Sequence, residues 1–272
     1  MKKIIYIVIA IIIIWFGLRF IIGGSEDTWI CEDGQWVKHG NPSASKPDTP
    51  CNDGVLIPSV ETKNTTESND EKRYEINVDL PVVKNSDSSE KVNAFIEEKV
   101  NEIVNKFKEN INDWEVSSDF DNEMKSGLWI KFEEHLLAGP YISLRITVSE
   151  FFIGAAHPNN YSFSVNYNLE KLGEITLDKL FSVSQQEYLS RISELILIDL
   201  KDQFVKLDMD PETMMFTSGL EPELKNFSNF NLTENGIAFN FDQYQIAPYA
   251  AGEFHVVIPY EKLADIMIKI EN

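Results

Sequence analysis

The chain is 272 residues long, enough for one or two domains with a sizeable apolar core. With 43% hydrophobic and 11% aromatic residues it lies outside the disordered and collagen-like classes. Against 44 Asp and Glu stand 24 Lys and Arg, of which Lys2, Lys3 and Arg19 precede Gly24, so the remainder carries a net charge of −23; such a surface repels phosphate backbones and argues against a nucleic-acid role. Cationic proteins, metal ions and neutral ligands remain as partners.

Ile4 to Ile22 is an apolar run whose one charge is Arg19. As a helix it spans about 29 Å, close to the hydrocarbon thickness of a bilayer, and Arg19, one turn from its end, can snorkel to the head groups. A cleaved signal peptide calls for a shorter run and a small-x-small site, whereas only Gly23-Gly24-Ser25 is small. Cys31 follows Thr28-Trp29-Ile30 and lacks a lipobox. Residues 1–24 therefore read as a cytoplasmic tip and single-pass anchor in the cell membrane. Lys2 and Lys3 place the N-terminus in the cytoplasm and the C-terminal domain outside.

Two cysteines, Cys31 and Cys51, follow the anchor. In an oxidising compartment they can pair and close a loop over Glu32 to Pro50, a link of about 3 kcal/mol. A metal site needs two more soft ligands; His39 is one and no fourth presents itself, so the disulfide is preferred. Residues 25–51 become a cystine-closed stalk, in which Trp29 and Trp36 can pack on each other or on the membrane interface. Residues 52–73 are mostly polar without periodicity and read as a flexible linker.

Strand-like alternation starts at Tyr74, with Ile76, Val78 and Leu80 on one face and Pro81 ending or edging the strand. Asp87 and Glu90 have capping-box spacing, and Val92, Phe95, Ile96, Val100, Ile103, Val104, Phe107 and Ile111 form the stripe of a long amphipathic helix. Leu128 to Phe132 reads as a short strand. Tyr141 to Ile153 follows, with Ile142, Leu144, Ile146 and Val148 inward and Ser143, Arg145, Thr147 and Ser149 outward. Tyr161, Phe163, Val165, Tyr167 and Leu169 alternate likewise. A second capping box, Ser184 to Glu187, opens a helix with Tyr188, Leu189, Ile192, Leu195, Ile196, Leu200 and Phe204 on its stripe. Asn235-Gly236 between Phe230-x-Leu232 and Ile237-x-Phe239-x-Phe241 signals a hairpin with a type I′ turn. Phe254, Val256 and Ile258 form a last strand, and Pro259 can start a terminal helix carrying Leu263, Ile266, Met267 and Ile270. The fold class is α+β: a mostly antiparallel sheet with two long helices and a C-terminal helix, preceded by one transmembrane helix.

Four blocks stand out: strand-Gly-Ala-Ala-His-Pro-Asn at Gly154 to Asn159, an aromatic strand ending in Leu-x-x-Leu-Gly at Gly173, Leu-x-x-Leu-Phe at Phe181, and Tyr-x-x-Ala-Pro-Tyr-Ala-Ala-Gly at Tyr244 to Gly252. In order and spacing they resemble a bacterial extracytoplasmic family of unknown function, found at the C-terminal end of the anti-sigma-V factor (RsiV) and, with an N-terminal companion module, in a peptidoglycan deacetylase. The resemblance covers about Tyr74 to Asn272 and implies a companion module over 74–150 and an RsiV-like domain over 151–272. It implies a binding module, since the anti-sigma member is a receptor for lysozyme, a cationic protein. Two departures limit the transfer: three residues precede the anchor, leaving out cytoplasmic sigma-binding helices, and no deacetylase domain is present.

Within these blocks, Gly154 can take positive φ, Ala155 and Ala156 permit close packing, and Pro158 fixes the next turn. His157 is either an acid/base or ligand group, or a turn histidine bonded to backbone. Tyr244 and Tyr249 can form a binding rim, or Pro248 and Gly252 shape a connection under which Tyr249 packs. The candidate ligand-binding residues are His157, Asn159, Tyr244 and Tyr249. The acidic runs Asp119 to Glu123 and Asp208 to Glu212 lack the glycine and glutamate of a calcium loop. Neither Ser-x-x-Lys, at Ser43 or Ser88, has the partners of serine catalysis, and neither phosphate loop nor dinucleotide fingerprint occurs. The expected protein is an envelope binding module without metal or cofactor, its partner a cell-wall component or a cationic protein. The rival is an envelope glycan hydrolase or deacetylase-like enzyme.

Overall fold

The computed structural model describes residues 28–32, 35–42, 44–47, 58–86, 88–113, 123–171 and 173–268. They divide into two units, residues 1–56 and 57–272. In the first, β1 (Thr28–Glu32) and β2 (Gln35–His39) pair antiparallel, with Cys31 opposite Trp36. Trp29 donates its indole N–H to the Ala44 carbonyl at 2.8 Å, and the Lys38 ammonium lies 5.6 Å from its ring centre. The expected anchor over 1–24 and Cys51 of the expected disulfide lie outside the described residues. No helix among the described residues is long and apolar enough to cross a membrane.

The second unit is mixed α+β, rich in antiparallel sheet. Its larger sheet has the order β3-β4-β5-β6-β7-β8, from β3 (Ser59–Asn69), β4 (Tyr74–Lys84), β5 (Ser126–Ala138), β6 (Tyr141–Phe151), β7 (Asn159–Asn168) and β8 (Gly173–Glu174). Only β4 and β5 run parallel, joined through α1 (Ser89–Asp113). Pro81 lies beyond Val78, where the pairing with β5 stops, so its missing N–H falls where one side of β4 is open. β7 pairs with β6 along its whole length, so the sheet runs through the division expected between residues 150 and 151.

Residues 59–73 are not the flexible linker expected. β3 pairs with β4 from Ser59 opposite Lys84 to Asn69 opposite Tyr74. Nearly all its side chains are exposed, so the backbone ladder holds it and no apolar period marks it. Polar pairs add to the ladder: across the strands Asn64 Nδ2 donates to Asp79 and the Tyr74 hydroxyl to Glu67, both at 2.6 Å, and Lys108 of α1 also donates to Glu67 at 2.6 Å.

α1 lays Val92, Ile96, Val100, Phe107 and Ile111 on one face of this sheet, against Ile76, Val78, Leu128, Ile130, Ile142, Leu144, Ile146 and Val148. Their burial forms one core. A second core surrounds α2 (Gln185–Lys206), whose buried face is Tyr188, Leu189, Ile192, Ile196, Leu200 and Phe204. It packs on a smaller sheet of order β11-β10-β9, from β9 (Phe230–Leu232), β10 (Gly236–Phe241) and β11 (Phe254–Pro259). The Ser184 side chain makes no capping bond; its carbonyl accepts from the Glu187 and Tyr188 amides instead.

The two sheets meet face to face, which overturns one reading of β6. Ser143 and Arg145, expected in solvent, are 0% and 5% exposed, because the smaller sheet covers the second face of the larger one. The expected C-terminal helix is also absent as such. Tyr260–Lys262 forms a 3-10 turn, a further turn buries Leu263 and Ile266, and the chain then straightens so that Met267 bridges Phe181 and the Ile268 amide bonds Leu180. Ile270 lies outside the described residues. At the β9–β10 turn, Thr233 pairs with Gly236, leaving Glu234 and Asn235 as the loop, neither at positive φ. Gly236 is there for another reason: a Cβ would sit 2.2 Å from the Ile258 carbonyl oxygen.

Candidate functional site

β6 and β7 are joined by residues 152–158. Gly154 takes φ 92 as expected, and the Ala155 amide closes the turn on the Phe152 carbonyl at 2.9 Å. Ala155 is half-buried, Ala156 and His157 are exposed, and Pro158 delivers the chain to β7. The second loop leaves β10 at Asp242. Ile246 and Ala247 are buried and fix its middle, while the Ile246 carbonyl accepts from Phe216 at 2.8 Å. Pro248 precedes the 3-10 turn Tyr249–Ala251, and Gly252 at φ 80 turns the chain into β11. Tyr244 has φ 68, a left-handed conformation rare for an aromatic residue, and is 57% exposed.

These two loops meet. The His157 ring stacks on Tyr249 with centroids 3.8 Å apart and planes 23° from parallel, and Tyr244 lies 5.5 Å from Tyr249 and 6.2 Å from His157. His157 Nδ1 is 2.9 Å from the Pro158 carbonyl, which can only accept, so a neutral ring carries its proton on Nδ1. Nε2 then accepts from the Tyr244 hydroxyl at 3.3 Å. The Tyr249 hydroxyl donates to the Pro158 carbonyl at 3.2 Å and accepts from Asn160 Nδ2, which also reaches Gln243 at 3.1 Å. Thus His157, Tyr244 and Tyr249 form one aromatic patch. Asn159 is exposed at the start of β7, and it is Asn160 that supplies the amide joining the patch. His157 makes the backbone contact expected of a turn histidine, and its ring also stacks on Tyr249.

Beneath the patch lies a buried polar layer that strand alternation alone did not disclose. Arg145, its side chain 6% exposed, pairs with Glu253, lies 3.6 Å from Glu133 and donates to Ser162 Oγ at 3.2 Å. Ser162 Oγ in turn donates to Asp242 at 2.8 Å. Ser143 donates to Asn166, Asn231 Nδ2 to Ser143, and Asn240 Nδ2 to Asn231, while His255 Nδ1 meets Asn240 Oδ1 at 2.9 Å. Burial pushes the Asp242 carboxyl up, with Glu253 adding to the effect and the Ser162 hydrogen bonds and Arg145 opposing it. Burial likewise pushes His135 and His255 down, helped at both by the Arg145 charge. The signal in the sequence was the second set of alternating positions: Ser143 and Arg145 on β6, Ser162, Ser164 and Asn166 on β7, and Asn229, Asn231 and Asn240 near the facing strands.

Among the described residues no group of three or more His, Cys, Asp or Glu is placed to hold a metal ion. Asp119 and Asp121 lie outside the described residues. Asp208 takes φ 57 just after α2, and Asp210 caps α3 (Pro211–Met214) by accepting from the Glu212 amide at 3.0 Å, so this acidic run shapes a helix connection. Two adjoining cavities of about 640 and 430 Å³ share Tyr141, Leu232 and Ile268, away from the patch.

Residues 178–261 match the model of a protein family of unknown function, DUF3298; the match includes the Tyr244–Gly252 loop and starts after His157. Over 203 residues the chain is 26% identical to the peptidoglycan-N-acetylmuramic acid deacetylase PdaC of Bacillus subtilis, covering 73% of this chain and 40% of that protein. It is 28% identical over 138 residues to the esterase Rv3036c of Mycobacterium tuberculosis, covering 50% of this chain and 58% of that one. The chain thus spans less than two thirds of either relative. Crystal structures of DUF3298 proteins from Bacteroides fragilis and Pseudomonas aeruginosa superpose with TM-scores of 0.57 and 0.53, at 18% and 15% identity, each covering 79% of this chain and 95% of the other. The likeness to these two is one of fold. Residues 178–261 therefore carry a DUF3298 domain, a domain also seen in the Bacillus subtilis deacetylase.

Proposed function

We propose that this chain is a non-catalytic binding module of the bacterial cell envelope, of the RsiV C-terminal type, that grips a wall glycan through His157, Tyr244 and Tyr249. The observation that carries the reading is the convergence of two loops, 87 residues apart at His157 and Tyr244, into one aromatic surface. Aromatic faces bordered by amides suit a sugar ring: the face packs on its C–H groups while amides meet its hydroxyls. Tyr244, held exposed at positive φ, is preorganised for contact, which lowers the ordering cost of binding. The deacetylase relative is named for a peptidoglycan substrate, and a shared module that holds such a glycan fits both proteins.

In this reading residues 1–24 anchor the protein with its N-terminus in the cytoplasm, and a Cys31–Cys51 bridge closes the stalk outside. The test is co-sedimentation of the intact protein with purified peptidoglycan. Tyr244→Ala, at an exposed position, is expected to abolish retention without lowering Tm. Retention equal to wild type sinks the assignment.

A second ligand reading, a cationic protein such as lysozyme, is favoured by the charge of −23 beyond Gly24. It is separated from the first by salt, because high ionic strength weakens a charge-driven complex and leaves glycan stacking nearly unchanged. The enzymatic rival draws on the names of both relatives. It requires a nucleophile or an activated water beside His157, whose ring nitrogens meet a carbonyl and a phenol. Hydrolysis of a p-nitrophenyl ester that is lost in His157→Ala would favour that rival over a binding module.

A further inference from the structure

β11 is an edge strand of the smaller sheet among the described residues, and one stretch of its outer side is uncovered. The Tyr260 amide donates to the Asn235 carbonyl across the ladder at 3.2 Å, so by strand alternation Phe254, Val256 and Ile258 turn their backbone groups to β10. His255 and Val257 turn theirs outward. Two other bonds agree: the Asn240 amide, opposite His255, points to Asn229 on the far side, and the outward His255 carbonyl accepts from Gln203 Nε2 of α2 at 2.9 Å. Gln203 thus closes one end of the edge and Pro259, with no N–H, limits the other. Between them Val257 presents an N–H and a C=O to a groove of about 180 Å³ between β11 and α2.

Leu195 and Ile198 give the groove an apolar wall, Asp199 and Asp202 an acidic one, and Lys262 lies at its end. Ile198 is 65% and Val257 49% exposed, unusual for a valine and an isoleucine side by side in a chain this acidic. We propose that this groove takes an extended, lysine- or arginine-bearing segment of a partner protein, added as a strand to the open edge of β11. The backbone of Val257 supplies two hydrogen bonds, the apolar wall receives an alternate side chain, and Asp199 and Asp202 pair with flanking cations. A second copy of this chain is disfavoured as occupant, because it brings the same acids and a like charge of −23 to the interface. The surface uses residues distinct from the aromatic patch, so glycan binding can fail or succeed independently of it.

The test titrates the intact protein with the peptide acetyl-Lys-Val-Lys-Val-Lys-amide and follows hydrogen exchange at the Val257 amide. Saturable binding that slows that exchange is expected, with affinity falling about tenfold when Val257→Pro removes the outward donor. Asp199→Asn with Asp202→Asn is expected to reduce both affinity and its salt dependence. Should Val257→Pro unfold, the same peptide N-methylated at its central lysine, tested on the wild-type protein, removes a strand hydrogen bond from the other side and is expected to bind about tenfold more weakly. Lack of saturable binding, equal binding of a Glu-for-Lys peptide, or a Val257 amide already protected in a dimer overturns the proposal.

Discussion

Arg145→Met removes the guanidinium at the centre of the polar layer while keeping most of the side chain's bulk. The arginine side chain is 6% exposed, and its partners Glu253 and Ser162 lose a charge-assisted bond when it goes. Breaking a fully buried ion pair costs about 3–5 kcal/mol. Glu253 is 30% exposed and can turn partly to water, so about 2–3 kcal/mol is expected near neutral pH. The pH dependence gives the firmer signature. Arg145 lowers the pKa of Asp242, His135 and His255 alike, so its removal moves all three upward. Acid then protonates Asp242 and charges the two histidines near the remaining carboxylates, so the penalty shrinks as pH falls. Urea unfolding followed by circular dichroism, near pH 7.5 and again near about pH 5, measures both effects. Arg145→Met with Glu253→Gln should recover about half of the loss, since the carboxylate paired directly with the guanidinium is then gone while Glu133 and Asp242 remain nearby. A loss below about 0.5 kcal/mol, or a penalty that grows on acidification, would refute the electrostatic account.

Gly236→Ala drives a methyl group into the Ile258 carbonyl and is expected to cost about 2–3 kcal/mol, read as a fall in Tm; an unchanged Tm would mean that β11 can shift freely. Phe107→Ala empties a fully buried site between Tyr74 and Phe152 and should cost about 3–5 kcal/mol in urea unfolding. His135 and His255 have folded pKa values below the ordinary one near about 6.5. Their neutral forms therefore contribute stability that is present above that value and is lost as pH falls below it. Replacing both by glutamine is expected to flatten the slope of stability between about pH 7 and pH 5, whereas an unaltered slope would assign it elsewhere.

Legibility followed apolar patterning. α1 and α2 were read from their stripes because each buries one face and wets the other, and β11 alternates for the same reason. β3 was lost because both its faces are polar and its order comes from pairing with β4, a partner that local sequence cannot reveal. Serine and arginine on β6 signal solvent locally, and only the packing of the second sheet turns Ser143 and Arg145 into buried groups. The last turn carried a correct apolar spacing, Leu263 and Ile266, but its continuation was decided by a distant bridge to Phe181. At the patch, residue types and turn glycines were readable at both loops. Their meeting was not, because the 87 residues between His157 and Tyr244 must fold before the rings can touch.

The polar layer explains why those rings meet in one arrangement. An apolar interface between two sheets tolerates sliding, since dispersion is nearly indifferent to register, whereas a chain of directional hydrogen bonds is satisfied at one offset only. Here the chain runs from Arg145 to Ser162 and from Ser162 to Asp242, tying β7 to the exit of β10. One residue beyond Asp242, Gln243 bonds Asn160, two residues before Ser162, and Asn160 holds the Tyr249 hydroxyl. Slippage by one residue would strand Asp242, already costly to charge, without its hydroxyl donor. The register that satisfies this buried carboxylate is therefore the one that places Tyr249 under His157, and the stability of the layer and the shape of the surface patch are set by the same bonds.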